Sequence, residues 1–323
     1  MEDMNLVELI DQFGDEDRCR AYLEELRWPD GVVCPKCGSD KISRVYDRNQ
    51  FHCDGPPRPD KSEWKSCGYQ FSVTAGTLFH DSHLPLRKWF LAIYLLAESK
   101  KGMSARQLGR TLGTSYKTAW YLAHRIRAAM GDDDQPLLRG IVEVDETFVA
   151  GRRFGVGRGR YRDEDNPPVV GAAERGGEVR LRVVRDRSRG TLHGFIREEV
   201  ADETEAIHTD EWTGYQGIGD EDTRHETVNH SAHEYVRADV HTNTMEGVWS
   251  LFKRGIVGSY HQISAKHLPA YLDEMEFRFN NRDNEFLFRD TMLVLVHGEA
   301  LPYADLVSRP DSRAAGSSSG SRR

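Results

Sequence analysis

The chain of 323 residues has no run of about 18 consecutive apolar residues, which excludes a transmembrane helix of ordinary length. Its opening stretch, MEDMNLVELIDQFGDEDRC, is acidic and amphipathic and lacks the basic-then-apolar layout of a secretory leader. A cytoplasmic location is therefore expected. Cysteine is scarce and unevenly placed: Cys19, Cys34, Cys37, Cys53 and Cys67 all fall in the first fifth of the chain. A disulfide framework does not suit a large cytoplasmic chain, and metal binding is the better reading. No internal repeat is present. Basic charge is in deficit, with 44 Lys and Arg against 52 Asp and Glu and a net charge of −8, which argues against a uniformly basic nucleic-acid binder. Acid is missing locally, however. Between Lys101 and Met130 the charged residues are Lys101, Arg106, Arg110, Lys117, Arg125 and Arg127, with no Asp or Glu, and GRRFGVGRGR at 151–160 again holds arginines and no acid. Basic faces on an acidic body remain compatible with DNA binding.

What is present divides by periodicity. Residues 5–27 read as one helix, with Leu6, Leu9, Ile10, Phe13, Tyr22, Leu23 and Leu26 as its apolar positions. A Trp-Pro-Asp-Gly turn leads into the cysteine region. The stretch from Thr77 to Met130 is helical and ends at the turn signal DDDQP. From Arg139 the period changes: GIVEVDETFVAG, VVGAAER and EVRLRVVRD read as three strands, GTLHGFIREEV as a helix, EAIHTDE as a fourth strand and HETVNH as a fifth. After His241 the pattern is helical again. This order is that of an α/β fold of the ribonuclease-H-like type, a mixed sheet with helices. The expected division is an N-terminal helical segment (1–28), a zinc ribbon (29–76), a helical DNA-binding region (77–132), the ribonuclease-H-like domain (138–290) and a C-terminal extension (291–323). The last residues, DSRAAGSSSGSRR, read as a disordered tail.

CPKC at 34–37 puts two thiolates on a tight turn, and a closed tetrahedral zinc site needs a second pair. Cys53 and Cys67 are the candidates, separated by 13 residues where a ribbon knuckle usually has two. That insert is rich in Pro, Asp, Lys and Ser and reads as an excursion from the knuckle tip. His52 is an alternative fourth ligand, and unligated thiols or a redox pair are the other readings of CPKC. Cys19 falls outside the spacing and reads as a buried thiol.

GMSARQLGRTLGTSYKTAWYLAHRIRAAM reads as a helix-turn-helix: a helix over 104–111, a turn at Gly113, and a helix over 115–129 with Ser115 as N-cap. Lys117 and Thr118 then fall where base and phosphate contacts are made, and Arg125 and Arg127 continue the positive surface. An ordinary helical hairpin with solvated charges is the competing reading.

Three acidic residues have a context that surface charges lack. Asp145 sits in an apolar strand beside Val142, Val144 and Phe148, where a lone carboxylate is costly unless it is paired or bound to metal. Asp210 ends the strand AIHTD. Glu246 opens an amphipathic helix, with 35 residues between it and Asp210. Carboxylates gathered in this way hold two divalent metals in enzymes that cut and join phosphodiester bonds. Lys253 lies seven residues after Glu246 on the same helix face, with Arg254 beside it, so both can meet a DNA phosphate.

The segments CPKCGS, QFSVTAGTLFHDSHLPLRKWF, VEVDETFVAGR, HTDEWTGY and HTNTMEGVWSLFKRGIVGSYHQISAKHLPAYLDEMEFRFNNR, with the helix-turn-helix, resemble as a set the insertion-sequence transposases of the DDE superfamily with an N-terminal zinc ribbon, the ISXO2-like family. The resemblance spans nearly the whole chain to about residue 285. It implies DNA cleavage and strand transfer at terminal inverted repeats, Mg2+ or Mn2+ at the catalytic site, structural Zn2+, a homo-oligomer on DNA and a place at the nucleoid. The family pattern is two aspartates, a third residue that is Asn or Glu, and a lysine. It maps onto Asp145, Asp210 and Lys253. Asn243 and Glu246 both compete for the third place, Glu246 being preferred for its charge and spacing. Arg152 and Arg153, after Asp145, are expected to track the DNA backbone. The 13-residue insert departs from the family. Two rival functions remain, a zinc-ribbon DNA-binding regulator without catalysis and a nuclease without joining activity.

Overall fold

The computed structural model describes residues 4–55, 67–131, 135–149, 167–220, 223–228 and 240–308. Arg152, Arg153 and the serine-rich tail lie outside the described residues. The chain opens with two helices where the periodicity predicts one. Helix α1 (Leu6–Phe13) is capped by Asn5 in a capping box with Glu8, and α2 (Glu16–Arg27) is capped by Asp15. The aspartate side chain accepts from the N–H of Asp17, so the helix restarts at that point. A three-stranded antiparallel sheet follows, β1 (Ile42–Val45), β2 (Gln50–Cys53) and β3 (Gln70–Phe71).

Helix α3 (Leu86–Glu98) is apolar enough to be buried on most sides. Its own N-cap residue makes no side-chain bond. The Glu16 carboxylate, from α2, accepts from the N–H groups of Leu86 and Arg87 instead. Helices α4 (Ala105–Leu112) and α5 (Tyr116–Ala128) are joined by a short turn in which Gly113 takes a φ of +60°, a conformation glycine adopts without strain. Ser104 and Ser115 cap the two helices through bonds to the N–H groups of Gln107 and Thr118. The expected boundaries and cap of this pair are borne out within a residue.

The second half is built on a five-stranded sheet of β4 (Ile141–Phe148), β5 (Pro168–Glu174), β6 (Val179–Val183), β7 (Ala206–Asp210) and β8 (Arg224–Val228), in the order β6-β5-β4-β7-β8. The β4–β5 and β5–β6 pairs are antiparallel, whereas β4–β7 and β7–β8 are parallel. Helix α6 (Arg189–Glu199) makes the crossover from β6 to β7. Alternate residues of β4 face opposite sides of this sheet. Val142 and Val144 pack with Leu192, Phe195 and Ile196 of α6. The other face carries Glu143 and Asp145 and is covered by α7 (Asn243–Gly255) and α8 (Leu268–Asn280), with Met245, Val248, Trp249, Leu272 and Met275 buried there. This is the ribonuclease-H-like arrangement expected from the order of elements.

Helix α9 (Leu287–His297) returns to the first half. Its Phe288, Met292, Leu295 and Val296 join the core formed by α1, α2, α3 and α5. A cut at 290 therefore passes through a helix that belongs by packing to the N-terminal core. A short helix, α10 (Tyr303–Val307), ends the described chain. Among the described residues no helix is long and apolar enough to cross a membrane.

Candidate active site and zinc ribbon

The two cysteine pairs come together. The Sγ atoms of Cys34, Cys37, Cys53 and Cys67 all lie within 4.8 Å of one another, with Cys37–Cys53 at 3.5 Å and Cys34–Cys67 at 4.0 Å. Four thiolates around one zinc at about 2.3 Å would stand roughly 3.8 Å apart, so the donor set fits a structural Zn2+. The long insert does not prevent this. The chain leaves the second knuckle at Gly55 and re-enters at Cys67, whose N–H donates to the Gly55 carbonyl at 2.8 Å, and Gly68 N–H donates back to Cys53 at 3.1 Å. The insert is thus pinched at its base. His52 is not part of the cluster; its Nδ1 is engaged by Asp54 at 2.9 Å. Cys19 is buried and bonds the Phe13 carbonyl through its sulfur, as expected of a structural thiol.

Asp145 lies in the middle of β4 and Asp210 at the end of β7. The parallel pairing matches Glu143 with His208, and the same register carried on two residues sets Asp145 level with Asp210. In a parallel pair such residues point to the same face, here the α7 face. Asp145 has its carboxyl raised to about 7, first by burial and then by the charges of Glu146 and Asp210. An apolar, acid-rich setting of this kind favours protonation or a cation. Two carboxylates on neighbouring strands, with a third at the start of the covering helix, are a donor set that suits hard divalent cations.

The antiparallel partner of Asp145 is Gly171. A Cβ there would stand 2.4 Å from the Met245 methyl and 2.8 Å from the Trp249 ring. Glycine therefore lets α7 settle onto the sheet beside Asp145. Trp249 is buried, three residues beyond Glu246 and four before Lys253, so that its two charged neighbours flank the face of α7 that meets the sheet. Asn243 is the first residue of the helix. Asn243, Glu246, Lys253 and Arg254 are all exposed. Among the described residues the cysteines are the one group of three or more Cys, His, Asp or Glu side chains close enough to share an ion, so Asp145, Asp210 and Glu246 do not form such a group.

The basic residues divide sharply. Lys117 is exposed at the start of α5, its ammonium 4.6 Å from the Tyr303 ring centre. Thr118 is exposed beside it and shares a 2.9 Å hydroxyl contact with Ser115. Arg125 and Arg127, expected on the same surface, are buried to 2% and 1% exposure. Arg125 donates to the His80 carbonyl and stacks on Trp89 and Tyr121. Arg127 is paired with Glu274 at 2.5 Å and lies over the Tyr271 ring. The reading of these two as surface cations is therefore corrected: helical phase puts them on the inner side of α5, against α3 and α8. Arg106 and Arg110 on α4 are exposed.

Several residues at the site were not singled out by sequence. Glu146, on the opposite face from Asp145, accepts from the Tyr215 hydroxyl at 2.5 Å and from Arg187 at 3.0 Å, tying β4 to the turn after Asp210. The acidic pair in VDET was the available signal. Glu143 and His208, both buried, join the half-buried Arg175 and His241 in a second polar group, for which spacing gave no signal.

Fold and site together define a class, a ribonuclease-H-like protein with an acidic sheet face and an N-terminal zinc ribbon. Residues 137–280 match the ISXO2-like transposase domain and residues 14–55 the transposase zinc-ribbon domain. A Halobacterium salinarum protein, described as an uncharacterized protein in transposable element ISH50, is 31% identical over 284 residues, covering 83% of this chain and 92% of that one. An uncharacterized transposase-like protein of Haemophilus influenzae is 30% identical over 101 residues, covering 31% of this chain and 80% of that one. The chain belongs to the ISXO2-like transposase family. Among solved structures, a simian T-cell lymphotropic virus intasome in complex with a PP2A regulatory subunit overlays with a TM-score of 0.31 at 13% identity, over 70% of this chain and 76% of that one, too loosely to carry any argument.

Proposed function

We propose that this protein is an active transposase that binds the terminal inverted repeats of an insertion sequence and catalyses metal-dependent DNA cleavage and strand transfer. The observation that carries the reading is the register setting Asp145 level with Asp210 on the sheet face that α7 covers, with Glu246 in the first turn of that helix. Asp145, Asp210 and Glu246 would hold Mg2+ or Mn2+, with Asn243 beside them as an orienting amide. Divalent ions at such a site supply activation of a water or 3′-hydroxyl and stabilisation of the leaving oxygen. The chain's own groups do the rest. Lys253 and Arg254 offer cations to the phosphates flanking the reacting bond, and Lys117 and Thr118 meet DNA at the exposed start of α5. The zinc ribbon holds the N-terminal fold in shape for that contact, and two protomers pair two DNA ends at the nucleoid.

The test is product analysis. Purified protein with duplex ends carrying the inverted repeats should yield, in Mg2+ or Mn2+, nicked ends and joined strands. Cleavage without joining would indicate a nuclease, and sequence-selective binding without cleavage a regulator; either result overturns the proposal.

A further inference from the structure

The geometry points to Glu143 as the positioning residue that sets α7, and with it Glu246, over the sheet face that carries Asp145 and Asp210; this rests on the catalytic reading of those three acids. Glu143 is wholly buried on the sheet face that carries Asp145, two residues before it on β4. Its Oε2 accepts from the N–H groups of Thr244 at 2.7 Å and Met245 at 3.3 Å. Its Oε1 accepts from the Thr244 hydroxyl at 2.9 Å and from Arg175 Nε at 3.1 Å. Thr244 and Met245 are the second and third residues of α7, whose N–H groups a helix leaves without internal partners. A side chain just before the helix usually takes them, yet Thr242 makes no such bond here. A carboxylate from the sheet has taken over the cap, and its charge sits at the positive end of the helix dipole.

Arg175 extends the clamp. From the turn after β5, its Nη2 stands 3.3 Å from His208 Nδ1 and 3.2 Å from His241 Nδ1. Each acid-bearing element thus places one residue in this network: Glu143 on β4, His208 on β7 and Thr244 on α7. In each case the acidic residue follows two positions later, at Asp145, Asp210 and Glu246. One polar cluster, with Glu143 and His208 buried at its centre, joins all three elements one short step from the carboxylates. The β4–β7 register, carried on from Glu143 and His208, brings Asp145 level with Asp210, and α7 meets the sheet through its apolar face and through Glu143. Glu143 supplies the polar tie.

The experiment uses the full chain with Glu143→Gln, which keeps the shape and removes the charge, and reads two quantities besides activity. Amide hydrogen exchange at Thr244 and Met245 should quicken by about tenfold, the loss of one hydrogen bond to a charged group. Mn2+ binding, followed by electron paramagnetic resonance, should weaken by about tenfold while Asp145→Asn abolishes it. Thr244→Val, which removes one donor and leaves the charge, should weaken Mn2+ binding about threefold and serves if the Gln variant does not fold. Unchanged exchange overturns the clamp. Faster exchange with unchanged Mn2+ affinity makes Glu143 merely structural and overturns its positioning role. Wild-type protein that binds Mn2+ but cuts no DNA counts against the transposase reading alone and leaves both readouts to judge Glu143.

Discussion

Removal of Glu274 should destabilise the protein without touching DNA recognition. Its carboxylate is fully buried between α5 and α8, paired with Arg127 at 2.5 Å, in contact with Arg278, and accepting from the Tyr260 hydroxyl at 2.8 Å. Burial alone would raise this carboxyl, but the Arg127 and Arg278 charges outweigh it and hold it below the ordinary glutamate range. Glu274→Ala leaves two buried guanidinium groups without that counter-charge. Breaking a buried pair from one side costs about 3–5 kcal/mol. At about 2–4 °C per kcal/mol, the melting temperature should fall by roughly 10 °C. The companion variant separates structure from recognition. Arg127→Met should also lower the melting temperature, yet leave the salt dependence of DNA affinity as it is, whereas Lys117→Ala should melt like wild type and reduce the log–log salt slope by about 0.9. Thermal unfolding followed by circular dichroism, with DNA binding titrated at several salt concentrations, reads both. An Arg127→Met protein that melts like wild type and loses a unit of salt slope would refute the placement of Arg127 in the core.

Other outcomes follow from the same geometry. Gly171→Val should lift α7 from the sheet beside Asp145, costing about 1–3 kcal/mol in denaturant titrations and lowering DNA cleavage in the folded fraction. Glu276, whose carboxyl is raised to about 7 chiefly by burial, binds its proton more tightly folded than unfolded. Its contribution to stability is therefore full below about pH 4.5 and is lost as pH rises through about 7, so Glu276→Gln should stabilise the protein at pH 8 by at most about 3 kcal/mol and change little at pH 4. One zinc per chain should be found by native mass spectrometry, and Cys37→Ser or strong chelation should loosen the ribbon, seen as faster proteolysis between residues 29 and 76.

The parts of the fold legible in the sequence are those fixed by local rules. Apolar runs located the strands that bear Asp145 and Asp210, Ser115 and Gly113 marked the turn between α4 and α5, and cysteine chemistry paired CPKC with Cys53 and Cys67 across an unusually long insert. What was not legible depends on contacts between distant segments. Glu143 and Thr244 are 101 residues apart, and nothing in VEVDET separates a carboxylate that caps a helix from one that meets a ligand. Arg127 is one of two arginines in a basic helix, and its partner Glu274 lies 147 residues on, so its burial depended on packing that composition does not record. The single helix read over 5–27 failed at Gly14–Asp15 because periodicity runs through a break that only the Asp15 cap reveals.

The catalytic proposal stands or falls with Asp145 as a metal-binding carboxylate level with Asp210. Asp145→Cys tests it most directly, since a thiolate disfavours Mg2+ and accepts softer divalent ions. DNA cleavage by this variant should fall to background in Mg2+ and recover in Mn2+ or Cd2+, while wild type works in Mg2+. Cleavage in Mg2+ at the wild-type rate would contradict the claim.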